Sequence, residues 1–223
     1  NLREGDELIS AQLVSAEDDM LLVSAKGASV RFRADDSTLR PMGRATSGVQ
    51  GIRLRPGDST LSMEVVRPGS HLVTVTDGGF AKRTPVSEWR TQGRNTFGVT
   101  AMKLVEQRGS LVGALICEES DELYAIASNG VVIRTRVDQV RSTGRATMGV
   151  SLMDLGPQDS VVGVARAAEI NDIDVEGEAG EEGELSAADM APDEVRPEIP
   201  DDAVLESEDD TAPTDDPGNE SDQ

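Results

Sequence analysis

Three stretches of the chain read Gly43-Arg44-Ala45-Thr46-Ser47-Gly48-Val49, Gly93-Arg94-Asn95-Thr96-Phe97-Gly98-Val99 and Gly144-Arg145-Ala146-Thr147-Met148-Gly149-Val150. They lie 50 and 51 residues apart and share five fixed positions, Gly-Arg-x-Thr-x-Gly-Val, an agreement that chance does not produce three times. Self-similarity at such a period marks a repeat architecture, in which one supersecondary unit recurs and neighbours bury each other's faces.

Other landmarks keep the same step. Lys26-Gly27, Asp77-Gly78 and Asn129-Gly130 each separate two runs rich in Val, Ile, Leu and Thr. Such dipeptides favour tight hairpin turns, because glycine accepts positive φ without steric cost. Leu54 to Asp58, Leu104 to Arg108 and Leu155 to Asp159 mark a further turn per unit, and Leu2-Arg3-Glu4-Gly5-Asp6 is a fourth copy of it. The chain is therefore expected to enter in the middle of a repeat, as a fragment of a longer protein would. The unit boundaries expected are about 2–53, 54–103 and 104–154, with a partial unit at 155–168, so that 1–168 forms the folded part.

Each unit should supply about four short strands, placed in the third copy near Leu123–Ser128, Val131–Arg136, Gly149–Leu155 and Val161–Ala165. The run Val30-Arg31-Phe32-Arg33 alternates with the period of two of a sheet with one buried face. Four-stranded units repeated in series point to an all-β fold of antiparallel blades, propeller-like or pinwheel-like, and three units alone leave a ring open.

Charge divides the chain in two. The net charge of −21 argues at first against a nucleic-acid partner, but residues 169–223 hold 22 Asp/Glu and a single basic residue, Arg196, and so carry all of it. The remainder has 20 acidic and 20 basic residues and is neutral. The acidic segment is rich in Pro, Gly and Ser and too poor in apolar residues to offset its ordering entropy, so 169–223 is expected to be a disordered acidic tail. A tethered polyanion of this kind is expected either to compete with DNA for basic residues or simply to repel it and keep the protein soluble, with equal weight on the two.

Several chemistries find no footing. The single cysteine, Cys117, sits in the apolar run 111–117, which excludes an internal disulfide framework and a multi-cysteine metal site and suits an inert core thiol in a reducing cytoplasm. That run is far shorter than a membrane helix needs, so no membrane partner is expected. His71 is the sole histidine and supports no catalytic triad or metal set; a place at a strand edge is the expectation. Tyr124, the sole tyrosine, lies in an expected strand and reads as sheet packing rather than a nucleophile for a phosphodiester. Trp89 occurs in one repeat only and reads as packing of a loop under the blade. The Gly-x-x-x-x-Gly spacing of the loops lacks the Gly-Lys-Ser/Thr of a nucleotide-binding loop. No catalytic residue and no metal site is assigned.

What does recur is basic charge. Arg31 and Arg33, Lys82 and Arg83, and Arg134 and Arg136 follow the hairpin turns, while Arg44, Arg94 and Arg145 occupy the Gly-Arg loops. Singly, each reads as a solvated charge paired with a nearby acid. As a set repeated in register, the nine residues are expected to line one rim as a track for the phosphate backbone of double-stranded DNA, where binding releases counterions and requires no base readout.

The unit containing Asn129-Gly130-Val131-Val132-Ile133-Arg134-Thr135 and then Thr143-Gly144-Arg145-Ala146-Thr147-Met148-Gly149-Val150 closely resembles the C-terminal repeat of the DNA gyrase A subunit, over about residues 2–168. The resemblance implies a β-pinwheel that wraps DNA on its outer rim and, within a holoenzyme that adds the gyrase B subunit to the remainder of the A subunit, supports ATP-dependent negative supercoiling. It implies ATP and Mg²⁺ in other domains and subunits but no cofactor here, and a cytoplasmic location. The Gln-Arg-Arg-Gly-Gly-Arg-Gly box of the family and its catalytic tyrosine domain are missing from these residues, as expected if they precede the fragment. The alternatives are the C-terminal domain of the topoisomerase IV A subunit, whose blades are more degenerate, and a propeller-type protein-interaction scaffold, which the neutral charge of the folded part favours and the registered arginines oppose.

Overall fold

The computed structural model describes residues 2–167. The acidic segment from 169 onward lies outside them, and with it the expectation of disorder. Among the described residues the only helical turns are three short 3-10 segments, Val86–Glu88, Glu106–Arg108 and Val137–Gln139; everything else regular is β. The strands are β1 (Asp19–Ser24), β2 (Ala28–Arg33), β3 (Thr60–Val66), β4 (His71–Thr76), β5 (Phe80–Pro85), β6 (Val99–Thr100), β7 (Leu111–Cys117), β8 (Glu122–Ala127), β9 (Val132–Arg136), β10 (Val150–Ser151) and β11 (Val161–Arg166).

Three antiparallel hairpins, β1–β2, β4–β5 and β8–β9, form at the turns read from the sequence. Each is flanked on one side by the next long strand of the chain, β3 beside β1, β7 beside β4 and β11 beside β8, so that a structural unit runs from a hairpin to its flanking strand. On the other side the pairing crosses repeats. The two-residue β6 of the second repeat joins β2, and β10 of the third joins β5, so the sheet orders are β3-β1-β2-β6, β10-β5-β4-β7 and β11-β8-β9. The strand expected at Gly149–Leu155 is thus shortened to two residues and given to the preceding sheet.

That exchange has a steric condition. Gly98 and Gly149, at φ +65° and +73°, lie against the carbonyl oxygens of Ser29 and Ala81; a Cβ would stand 2.1 and 2.7 Å from them. Only glycine lets the crossing loop approach β2 and β5 this closely.

The sheets stack through their alternating faces. Leu21 and Val23 of β1 pack with Leu72, Trp89, Met102, Leu111 and Ile116 between the first and second sheets. Val73 and Val75 of β4 pack with Leu123, Ala125, Val137, Val140 and Val161 between the second and third. Burying each of these Leu, Ile, Val and Met side chains stabilises the stack by roughly 1.5–3 kcal/mol. β7 packs against both β3 and β11, so those edges of the sheets converge, and the edges carrying β6, β10 and the crossing loops face away from them.

Candidate nucleic-acid interface

The strand arginines come in two kinds, and their place in the stack decides which. Arg31 Nε donates to Asp19 Oδ2 at 2.8 Å, while its Nη1 donates to the carbonyls of Val86 and Trp89 at 3.0 and 3.1 Å, in the next repeat. Arg83, one repeat on, donates to the carbonyls of Val140 and Asp138 and pairs with Glu119, all in the third repeat. Both guanidiniums therefore hold the short turn of the following unit onto the outer strand of their own. Arg134 occupies the equivalent place on β9; it pairs with Glu122 of the adjacent strand, lies over Tyr124 at 5.9 Å and is 60 % exposed. The Glu122 carboxylate raises the Arg134 pKa further above its ordinary value.

Arg33 is half-exposed beside Asp19 at 2.9 Å, and Arg136 is exposed beside Asp138 at 2.7 Å. Lys82 faces the other way from Arg83. It stands where Val30 and Ile133 stand in the other hairpins, has no exposed surface, and donates through Nζ to the carbonyls of Gly144 and Arg145 at 2.8 and 2.6 Å. Burial first, and Arg145 second, lower its pKa to about 8.

The loop arginines also differ from one another. Arg94 donates to the carbonyls of Thr38 at 2.8 Å and Gln50 at 3.1 Å, and Arg145 to that of Thr100 at 3.4 Å, each reaching back onto the preceding repeat. Arg145 also lies over the buried Trp89 ring and 3.9 Å from Glu88. Arg44 is exposed, with no side-chain partner among the described residues.

The structure brings forward a set that the motif reading passed over. Arg40, Arg90 and Arg141 are exposed, and among the described residues none has a side-chain hydrogen bond or ion pair. Each precedes its loop arginine by four residues, at the same 50 and 51 offsets, which is the signal that would have found them. They stand where the chain leaves its own hairpin to cross to the preceding sheet, as the bonds Gln92 N to Arg31 O and Thr143 N to Arg83 O show for the last two. This is the outer edge, opposite the converging strands. Arg53 and Lys103, equivalent again, are exposed where their backbone N–H groups bond Thr96 O and Thr147 O across the joint.

The remaining candidates are structural. Trp89 is buried and its Nε1 donates to Ser29 Oγ at 2.8 Å, under the first sheet as expected. Tyr124 lies within β8. His71 opens β4, buried beside Arg83 and 3.8 Å from Glu119; burial, then Arg83, lowers its pKa. Burial pushes the Cys117 thiol up to about 12, which leaves it protonated and unreactive. Among the described residues no three His, Cys, Asp or Glu side chains gather in a way that could hold a metal ion.

Comparison with known proteins meets this geometry unit by unit. The family described as DNA gyrase C-terminal domain, beta-propeller, matches residues 18–67, 70–118 and 121–168, each match running from the hairpin through the strand beside it. The chain belongs to this DNA gyrase C-terminal domain family. Members of the family among curated proteins include the DNA gyrase A subunit of Streptomyces coelicolor, 59 % identical over 199 residues (87 % of this chain, 22 % of the relative). That of Mycolicibacterium smegmatis is 54 % identical over 191 residues, covering 86 % of this chain and 22 % of the relative. The chain thus spans about a fifth of the length of these gyrase subunits. A solved DNA gyrase A C-terminal domain superposes with a TM-score of 0.63 at 28 % identity, over 69 % of this chain and 52 % of that one. A topoisomerase IV C-terminal domain superposes at 0.69 with 23 % identity, over 74 % and 51 %, and shares the fold.

Proposed function

We propose that this gyrase-type repeat region binds duplex DNA along the outer edge of its blades and bends it there, as the wrapping module of a type IIA topoisomerase A subunit. The observation that carries this reading is the registered triplet Arg40, Arg90 and Arg141, exposed and unengaged among the described residues at the outer edge of successive units. Arg44, Arg33, Arg134 and Arg136 add exposed guanidiniums to the track, with Arg145 at its margin. Arg31, Lys82, Arg83 and Arg94 keep their place in the proposed interface by holding the crossing loops that present it. Charges repeated at one step along a rim neutralise successive phosphates without reading bases, which suits a wrap on any sequence.

In the parent protein the region would work in the cytoplasm with the gyrase B subunit, plus the remainder of the A subunit, which between them supply strand passage, ATP and Mg²⁺. Among the described residues no helix is long and apolar enough to cross a membrane. The test is the Arg40→Ala/Arg90→Ala/Arg141→Ala triple variant in the full-length chain, with duplex affinity measured against salt. With about five to eight phosphates neutralised, log affinity should fall against log salt with a slope of roughly −4 to −7, and the triple variant should flatten it by about 2.7. An unchanged slope would remove these arginines from the interface.

A further inference from the structure

The chain has three phenylalanines: Phe32 is buried in the first sheet, Phe80 lies under the Arg108 guanidinium, and Phe97 points outward, 49 % exposed, from the second Gly-Arg loop. Phe97 is held from both sides. Before it, Arg94 bonds Thr38 O and Gln50 O, Asn95 N donates to Gly51 O at 2.6 Å with φ at +60°, and Arg53 N donates to Thr96 O at 2.8 Å. After it, Gly98 is pressed on Ser29 O. The ring therefore stands in solvent on a loop with little freedom left to lose.

Two cations flank it. The guanidiniums of Arg53 and Arg55 lie 5.4 and 5.7 Å from the ring centroid. The two segments that meet here, 49–57 and 90–103, contain Arg53, Arg55, Arg90, Arg94 and Lys103 and no acidic residue. At the equivalent loop position the other repeats have Ser47 and Met148.

We infer that Phe97 is a wedge: it inserts at a flexible base-pair step of the bound duplex, with Arg53 and Arg55 moving from its faces to the flanking phosphates, and so places a kink in the DNA at the second repeat. An apolar side chain that unstacks one step while cations hold the backbone on either side is an established way of bending DNA. Pyrimidine–purine steps yield most easily, so the wedge sets a preferred phase for the wrap at positions where no base edge is read. An aromatic on a backbone held in this way loses little loop entropy on insertion, and its two arginines start within 5.4 and 5.7 Å of the ring centroid. The inference rests on the DNA-binding reading above.

The test uses the full-length chain and a duplex with a single TpA step whose adenine is replaced by 2-aminopurine. Binding of the unmodified protein should raise the 2-aminopurine fluorescence, reporting unstacking, in duplexes that carry the step and not in a TpA-free control labelled elsewhere. Phe97→Ser, which installs the residue type of position 47, should abolish the rise and weaken binding to the TpA duplex by about tenfold, in line with the loss of one stacking contact. Phe97→Met should restore much of both, and the salt slope should stay unchanged because no charge is altered. Equal fluorescence and affinity for Phe97→Ser, with tight salt-dependent binding retained, would overturn the wedge and leave the DNA-binding reading standing. No duplex binding by the unmodified protein would overturn both. A fall in thermal midpoint for Phe97→Ser would make Phe97 a packing residue and likewise end the proposal.

Discussion

Arg83 and Arg141 are neighbours across one joint, linked by the bond from Arg83 N to Arg141 O, yet they have opposite fates. The Arg83 side chain is 12 % exposed and spends its donors on Glu119 and the carbonyls of the next repeat; Arg141 is exposed and engages none among the described residues. Both belong to series repeated at the same period. Recurrence in a repeat protein therefore marks a position that matters in every unit, and whether it matters for the joint or for a partner depends on the strand it occupies and the edge it faces.

Three stability measurements on the full-length chain would break or sharpen this contrast. The largest effect is expected at the joint's apolar centre: Trp89→Ala should destabilise the repeats by about 3–5 kcal/mol, read from urea unfolding, because the indole fills the space between the first two sheets and its N–H bond to Ser29 is lost with it. A cost below about 1 kcal/mol would mean that the sheets do not depend on the joint.

Next is the pH dependence set by Lys82. Its pKa in the folded state, about 8, lies below the ordinary 10.5, so the unfolded chain holds more protons between those values and stability should rise as pH climbs through that window. The gain should be at most about 3 kcal/mol and should vanish in Lys82→Met. A flat profile in the unmodified protein across pH 8 to 10 would show that the carbonyl cradle of Gly144 and Arg145 fully compensates the buried charge.

The smallest effect separates the two arginine series directly. Arg83→Ala should cost about 2 kcal/mol through the lost charged hydrogen bonds, while leaving the DNA salt slope unchanged under conditions where the protein is folded. The Arg40/Arg90/Arg141 variant should do the reverse, with stability within about 0.5 kcal/mol of the parent and a flattened slope. If Arg83→Ala flattened the slope as much as the triple variant, the contrast between joint and rim would collapse.

How much of this was legible in advance differs by scale. The 50-to-51-residue period, the hairpin turns and the alternating apolar runs determined an all-β fold of repeated antiparallel units, because local turn chemistry and side-chain alternation are properties of neighbouring residues. The same local information found the basic series, but it grouped Lys82 with Arg83 on adjacency alone. In a strand adjacent residues face opposite ways, and the stack turned one toward carbonyls in the core and the other toward the joint. Arg40, Arg90 and Arg141 share the same period and were legible as a series, but their isolation from every partner among the described residues, which sets them apart from Arg94 and Arg145, is a fact about distances across repeats. The exchange of β6 and β10 into the preceding sheets was equally out of reach: which edge a two-residue strand pairs with depends on where Gly98 and Gly149 meet the carbonyls of Ser29 and Ala81, far earlier in the chain. Sequence determined the unit and its count; only the tertiary structure decided which of its charges close the stack and which are left facing solvent, because that choice is made where one unit meets the next.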